Sequence, residues 1–126
     1  MKTKIDTDKA PKPKVTSKYS QAIVDGNMIY TAGQIHLTLD GKLLDGTIEE
    51  QTHQVMKNLK AILEEAGVTF ADVVKTTAYI TDMSTYEKVI DTYGSYMSEP
   101  YPARETVCVK ELPLGAKVEI SMIAAK

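Results

Sequence analysis

Tryptophan is absent from these 126 residues, phenylalanine and cysteine occur once each, and histidine occurs twice. The single Cys108 excludes an intramolecular disulfide and any metal site built on paired cysteines. His36 and His53 lie far apart in the chain, which leaves too few ligands for an ordinary zinc site. No stretch approaches the ~18 consecutive apolar residues of a membrane span. The Lys-rich beginning lacks the apolar segment of a secretory signal. A cytoplasmic protein is the default expectation. No internal repeat and no low-complexity tract is visible.

What is present fits one compact domain over residues 1–126, with 43% hydrophobic and 25% charged residues. The net charge of −2 is unevenly spread. Residues 1–18 carry six lysines against two aspartates, which leaves nine basic and fifteen acidic residues beyond them. The basic head could touch phosphate, but the acidic body repels a polyanion, so RNA is not the favoured partner.

The head contains Pro11 and Pro13 and leaves room for a short edge strand near Thr3 to Ile5. Asp25-Gly26-Asn27 separates two β-forming runs, Tyr19 to Val24 and Met28 to Ile35, and predicts a hairpin. Gly33 lies inside the second run, where glycine marks a bulge or a close backbone approach. His36 follows and reads as a solvent-exposed loop residue. Thr47-Ile-Glu-Glu50 is a capping box opening a helix whose apolar stripe includes Val55, Met56, Leu59 and Ile62 and which stops at Gly67. His53 falls on its outer face. A strand is expected over Val73 to Ile80. A second capping box, Ser84 to Glu87, then opens a helix with Tyr86, Val89, Ile90, Tyr93 and Met97 on one stripe, ended by Ser98-Glu99-Pro100.

The last stretch reads as a hairpin, Glu99 to Val109 and Lys117 to Ala125, joined by a loop with Pro113 and Gly115. Alternation puts Arg104, Thr106 and Cys108 on one face and groups Glu119, Ser121 and Ile123. Pairing about the loop centre would make Arg104 and Glu119 diagonal neighbours, roughly 7–8 Å apart. Such a pair is either a plain cross-strand ion pair or a small pocket. In the pocket Arg104 clamps a carboxylate by two hydrogen bonds, and Glu119 holds or activates a water.

The order is thus β-β-β-α-β-α-β-β, an α+β fold with about six strands and two helices on one face. The other face would still present Ile123, parts of the Val73 to Ile80 strand and Cys108, and self-association is the simplest cover.

In combination these motifs are specific. They are Tyr19 followed by Gln21, Thr31-Ala-Gly-Gln-Ile35, Asn58-Leu-Lys-Ala-Ile62, Val74-Lys-Thr-Thr77, Tyr101-Pro-Ala-Arg104, Leu112-Pro113 and Val118-Glu-Ile120. Nearly end to end the chain resembles the Rid (reactive intermediate deaminase) or YjgF family, also described as endoribonuclease L-PSP. The resemblance implies a chorismate-mutase-like α+β fold with a mixed six-stranded sheet, assembled as a homotrimer with clefts between subunits. It implies hydrolysis of enamines and imines such as 2-aminoacrylate and 2-iminobutanoate to 2-keto acids and ammonia, with no metal and no cofactor. Two other readings remain: a non-catalytic trimer that binds small carboxylates, and an endoribonuclease or translation inhibitor using the Lys-rich head.

Carried over by the resemblance, Arg104 binds the carboxylate and Glu119 positions water, while Tyr19, Ala32, Gly33, Tyr86, Tyr101 and Thr106 fall at the substrate pocket. The spacing of Tyr86 fits core packing equally well. Three positions depart from the family pattern. Thr106 stands where the deaminase branch usually has cysteine, Ala32 replaces a serine, and Ser121 replaces the second glutamate of Glu-Ile-Glu. The first two bear on substrate choice and the third on water activation.

Overall fold

Strand β5, Val73–Ile80, is the one around which the sheet assembles. It alternates buried Thr76, Ala78 and Ile80 with half-exposed Lys75, Thr77 and Tyr79. In this computed structural model, which describes residues 1–126, β5 has β6 (Ala103–Cys108) parallel on one side and β7 (Val118–Ala125) antiparallel on the other. The sheet continues through β3 (Met28–Thr31), β2 (Ala22–Asp25) and β1 (Lys2–Ile5), in the order β1-β2-β3-β7-β5-β6. A short β4, Gln34–Ile35, extends the line of β3 along β7. The fold is therefore α+β with a mixed sheet, as the sequence implies. The strands number seven rather than six because the expected run from Met28 to Ile35 is broken at Ala32-Gly33.

The break is a bulge. Tyr30 opposes Ile123 and Gln34 opposes Ile120, so four steps along one strand face three along the other. The Asp25-Gly26 hairpin forms as expected, with Gly26 at φ +62°.

Helix α1, Ile48–Glu65, starts at the Thr47/Glu50 capping box, with both reciprocal hydrogen bonds present. It ends before Gly67, whose φ of +81° no Cβ-bearing residue adopts cheaply. Its buried stripe of Val55, Met56, Leu59, Ile62 and Leu63 packs on Ile29, Ala78, Ile80, Ile120 and Met122. Each such side chain contributes roughly 1.5–3 kcal/mol by leaving water. No helix is long and apolar enough to cross a membrane.

Two local expectations fail here. The Ser84/Glu87 box is not formed. Asp82 instead caps a single 3₁₀ turn, Met83–Thr85, by accepting from the Ser84 N–H at 2.9 Å, and α2 runs only from Tyr86 to Gly94. Asp82 wins because its carboxylate is a charged acceptor placed two residues earlier.

The terminal hairpin also fails. β5-α2-β6 is a crossover that returns the chain parallel to β5, so β6 takes one flank of β5 and β7 takes the other. The connection between β6 and β7 passes over the end of β5, held by Val109 N–H to Ile80 O at 2.8 Å. Arg104 registers with Thr76 and Glu119 with Tyr79. Residues in register share a face, so Arg104 lies on the helix-bearing side and Glu119 on the open side. Their Cα atoms are roughly 14 Å apart, counting two strand spacings and three residues. They are not diagonal neighbours. Cys108, in register with buried Ile80, also points to the helix side at the exposed sheet edge rather than to the open face.

Candidate active site

Gly33 and Glu119 meet across the bulge. A Cβ on Gly33 would stand 2.6 Å from Glu119 Oε2 and 2.8 Å from its Cδ, so a side chain fits here only if the Glu119 carboxyl moves aside. The two residues share a cavity of about 170 Å³ with Tyr19, Pro11, Leu37 and Leu114. The Glu119 carboxyl is half-buried, and desolvation alone holds it above the ordinary carboxylate range. Tyr19 is 56% exposed and stands at the rim. Ala32 is half-buried beside Gly33, and its N–H donates to Gln21 O at 2.8 Å.

Three buried polar residues hold the chain around this cavity, and Gln21 itself lines it. Gln21 accepts from Thr7 N–H at 2.7 Å and donates to the carbonyls of Thr7, Ala10 and Pro11 at 3.1, 3.3 and 3.0 Å. The lead-in is thereby pinned under the rim. Asn58 of α1 donates to Leu37 O at 2.9 Å and to Ile35 O at 3.3 Å, which fixes the chain leaving β4.

His36 is the third, and it is not the exposed loop residue expected. It is 2% exposed, with Nδ1 3.0 Å from Leu44 O and Nε2 accepting from Lys117 N–H at 3.0 Å. A carbonyl on one side and an N–H on the other fix the neutral Nδ1–H tautomer. Burial pushes its pKa below the ordinary 6.5. Sequence reasoning missed it because the position after β4 looks like a loop. Only the approach of the Lys117 segment from 81 residues away buries it. His53 does lie on the exposed face of α1, where its Nδ1 sits 2.6 Å from the Tyr96 hydroxyl.

The second group of expected residues gathers on the far side of the sheet. Arg104 Nη1 donates to Thr106 Oγ1 at 2.5 Å, and Nη2 donates to the Tyr86 hydroxyl at 3.3 Å. The guanidinium carbon lies 5.8 Å from the centre of the Tyr86 ring. Tyr86 also packs against the core, as its helical spacing suggested. Tyr101, 63% exposed, joins Arg104 and Tyr93 around an open cavity of about 630 Å³. No carboxylate pairs with Arg104. The plain Arg104–Glu119 ion pair is thus excluded within one protomer. What remains are two half-sites: a steadied, unpaired guanidinium at an edge strand, and a desolvated carboxylate in a small pocket on the opposite face.

The open face around Glu119 carries Tyr30, 44% exposed, and Val107, 41% exposed, with half-buried Tyr79 and Ile123 between them. These apolar side chains share the face with Lys75, Thr77 and Ser121.

The description endoribonuclease L-PSP belongs to the family whose sequence model matches residues 8–126. A RutC family protein of Pyrococcus abyssi is 46% identical over 97% of this chain and 95% of its own length. A 2-iminobutanoate/2-iminopropanoate deaminase of Dermatophagoides farinae is 37% identical over 94% of this chain and 92% of its own. A Thermotoga maritima structure described as an endoribonuclease superposes with a TM-score of 0.94 at 46% identity, covering 100% of this chain and 98% of its own. Escherichia coli TdcF with bound serine gives 0.90 at 30% identity, covering 98% of both chains.

Proposed function

This chain belongs to the endoribonuclease L-PSP family, the Rid/YjgF family with deaminase members, and from that premise we propose that it hydrolyses 2-imino acids to 2-keto acids and ammonia. Its substrates in this reading include 2-iminobutanoate and 2-iminopropanoate, the tautomers of enamines such as 2-aminoacrylate. The observation that carries the reading is the pair of half-sites. Each holds one of the two groups the reaction needs, and each lacks its counterpart within the protomer.

The chemistry asks little of a protein. The iminium carbon is already electrophilic. A water adds to it, giving a carbinolamine. A proton passes to nitrogen, the C–N bond breaks, and ammonia leaves as the carbonyl forms. The site must hold the carboxylate, place the water and move that proton. Arg104 supplies a planar donor fork matched to a carboxylate, steadied by Thr106 and Tyr86. Glu119, with a pKa raised by burial, is poised to take a proton from the attacking water and return it to the departing nitrogen. Gly33, lacking a Cβ, lets that carboxyl stand close against the backbone, and Tyr19 stands at the rim. Thr106, the residue in place of the branch's usual cysteine, is occupied in holding Arg104.

In this reading copies associate through the open sheet face as a homotrimer, and each cleft joins Glu119 of one copy to Arg104 of the next. The exposed apolar residues of that face support it. The bound serine of TdcF, an amino acid with a free α-carboxylate on a relative 30% identical, supports the carboxylate-binding part of the reading. The test is a coupled assay with threonine dehydratase, following keto-acid appearance in a buffer where free imine hydrolyses slowly. Wild-type protein should accelerate it and Arg104→Ala should not. No acceleration by folded, oligomeric wild type, with carboxylate binding retained, would replace the enzyme by a carboxylate-binding protein.

A further inference from the structure

Beside the Glu119 pocket lies a second cavity of about 370 Å³ that shares Lys12, Tyr19 and Gln21 with it. Lys4, Lys14 and Lys18 also line this cavity, against a single carboxylate, Asp6. Lys12 bridges Asp6 at 3.1 Å and Asp8 at 2.7 Å, a trio with a net charge of −1, whereas no carboxylate pairs with Lys4, Lys14 or Lys18, so the group as a whole carries +2. The placement is built by the backbone. A 3₁₀ turn over Val15–Ser17 follows Lys14 and ends at Lys18, which sits at φ 60° in the left-handed region. A lysine is held there at some conformational cost. The turn puts Lys14 and Lys18 on one opening, and β1 brings Lys4 to it.

The charge balance gives this cluster a task. The acidic remainder of the chain, and Glu119 inside the pocket, both repel a carboxylate substrate. We propose that the Lys4/Lys14/Lys18 cavity is a cationic vestibule to the Tyr19–Glu119 pocket that gathers anionic substrates, and that it draws dianionic 2-imino acids with about twice the electrostatic free energy of monoanionic ones. The inference rests on the deaminase reading and adds its substrate charge class. Attraction between a cluster and a ligand scales with the product of their charges. One unit charge about 10 Å away in water changes encounter about twofold at low salt. The net charge of +2 therefore gives roughly fourfold for a monoanion and roughly sixteenfold for a dianion, screened as the Debye length shrinks from about 30 Å at 0.01 M to 3 Å at 1 M.

The experiment measures kcat/KM against ionic strength for imines generated in place by an amino-acid oxidase, one with a neutral and one with a carboxylate side chain. For wild type, kcat/KM falls with salt, about twice as steeply for the dianion, and the loss falls on kcat/KM rather than kcat. The triple variant Lys4→Gln/Lys14→Gln/Lys18→Gln, checked for fold and oligomer, loses most of both slopes. Calorimetric binding of 2-oxobutanoate and 2-oxoglutarate repeats the comparison without turnover. A protein that hydrolyses imines with slopes unaltered by the triple variant overturns the vestibule and leaves the enzyme standing. Absent turnover with salt- and lysine-dependent binding of the two keto acids overturns the enzyme and leaves the vestibule. Binding of neither, or binding unaltered by the triple variant, sinks the vestibule.

Discussion

Replacing Gly33 by alanine separates what holds this fold from what the Glu119 pocket does. The new Cβ would stand 2.6 Å from Oε2 and 2.8 Å from Cδ of Glu119. Ordinary contact begins at about 3.4 Å, so the carboxyl must move by roughly 0.6–0.8 Å, and it is the far end of a flexible side chain. The backbone has no reason to resist, since Gly33 is not among the residues with positive φ. Alanine also restricts the unfolded chain, an effect of about 0.4–1 kcal/mol in favour of the fold. The thermal midpoint should therefore stay within a few degrees of wild type or rise. Catalysis should not survive so well. A misplacement of about 1 Å at a reacting group costs on the order of 100-fold, so kcat should fall by about 10- to 100-fold. The imine assay and a thermal melt on one preparation decide it. Unchanged turnover would show that Glu119 need not stand where it does. A loss of several kcal/mol in stability would show that the close approach belongs to the fold rather than the chemistry.

Arg104→Lys should lose nearly as much turnover as Arg104→Ala, because an ammonium lacks the planar donor fork that meets both oxygens of a carboxylate, and near-normal kcat/KM in the lysine variant would defeat the two-pronged clamp. His36 is held neutral with a pKa below 6.5, so its contribution to stability is complete above pH 6.5 and declines as pH falls toward its folded pKa, with a slope of at most about 1.4 kcal/mol per pH unit. Urea unfolding between pH 7.5 and 5 should show that decline in wild type and not in His36→Gln, and parallel curves would refute it. Glu119 titrates above its ordinary 4.5, so its ionisation costs stability as pH rises through the folded pKa. Glu119→Gln should consequently raise the unfolding midpoint at pH 7 while abolishing turnover, and a lowered midpoint would contradict the desolvation argument. Tyr19→Phe should cost less turnover than Arg104→Ala, and an equal loss would give the hydroxyl more than an orienting part.

Much of this molecule is written in short-range physics that a sequence displays. The Thr47/Glu50 box, the Gly67 stop, the Asp25-Gly26 turn and the stripe from Val55 to Leu63 each depend on residues within a turn or two of one another, and each appears where the pattern puts it. Gly33 was legible as a bulge or close approach because only missing side-chain volume explains a glycine inside a strand. Local alternation also gave the correct face partners for Arg104 with Thr106 and for Glu119 with Ser121. Pairing between strands was another matter. The run from Ala103 to Ala125 looks like a hairpin because a short loop favours one, but the α2 crossover delivers β6 to one flank of β5 and leaves the other flank to β7. That placement moves Arg104 and Glu119 to opposite faces and turns one expected pocket into two half-sites. Burial of His36 was likewise decided by a segment 81 residues downstream, and the Asp82 cap by competition between two acceptors two residues apart. The sequence by itself determined the elements, their order and the chemistry each carries, because those follow from neighbours along the chain. Only the tertiary structure decided which of those groups face one another, because that depends on the path by which each strand enters the sheet.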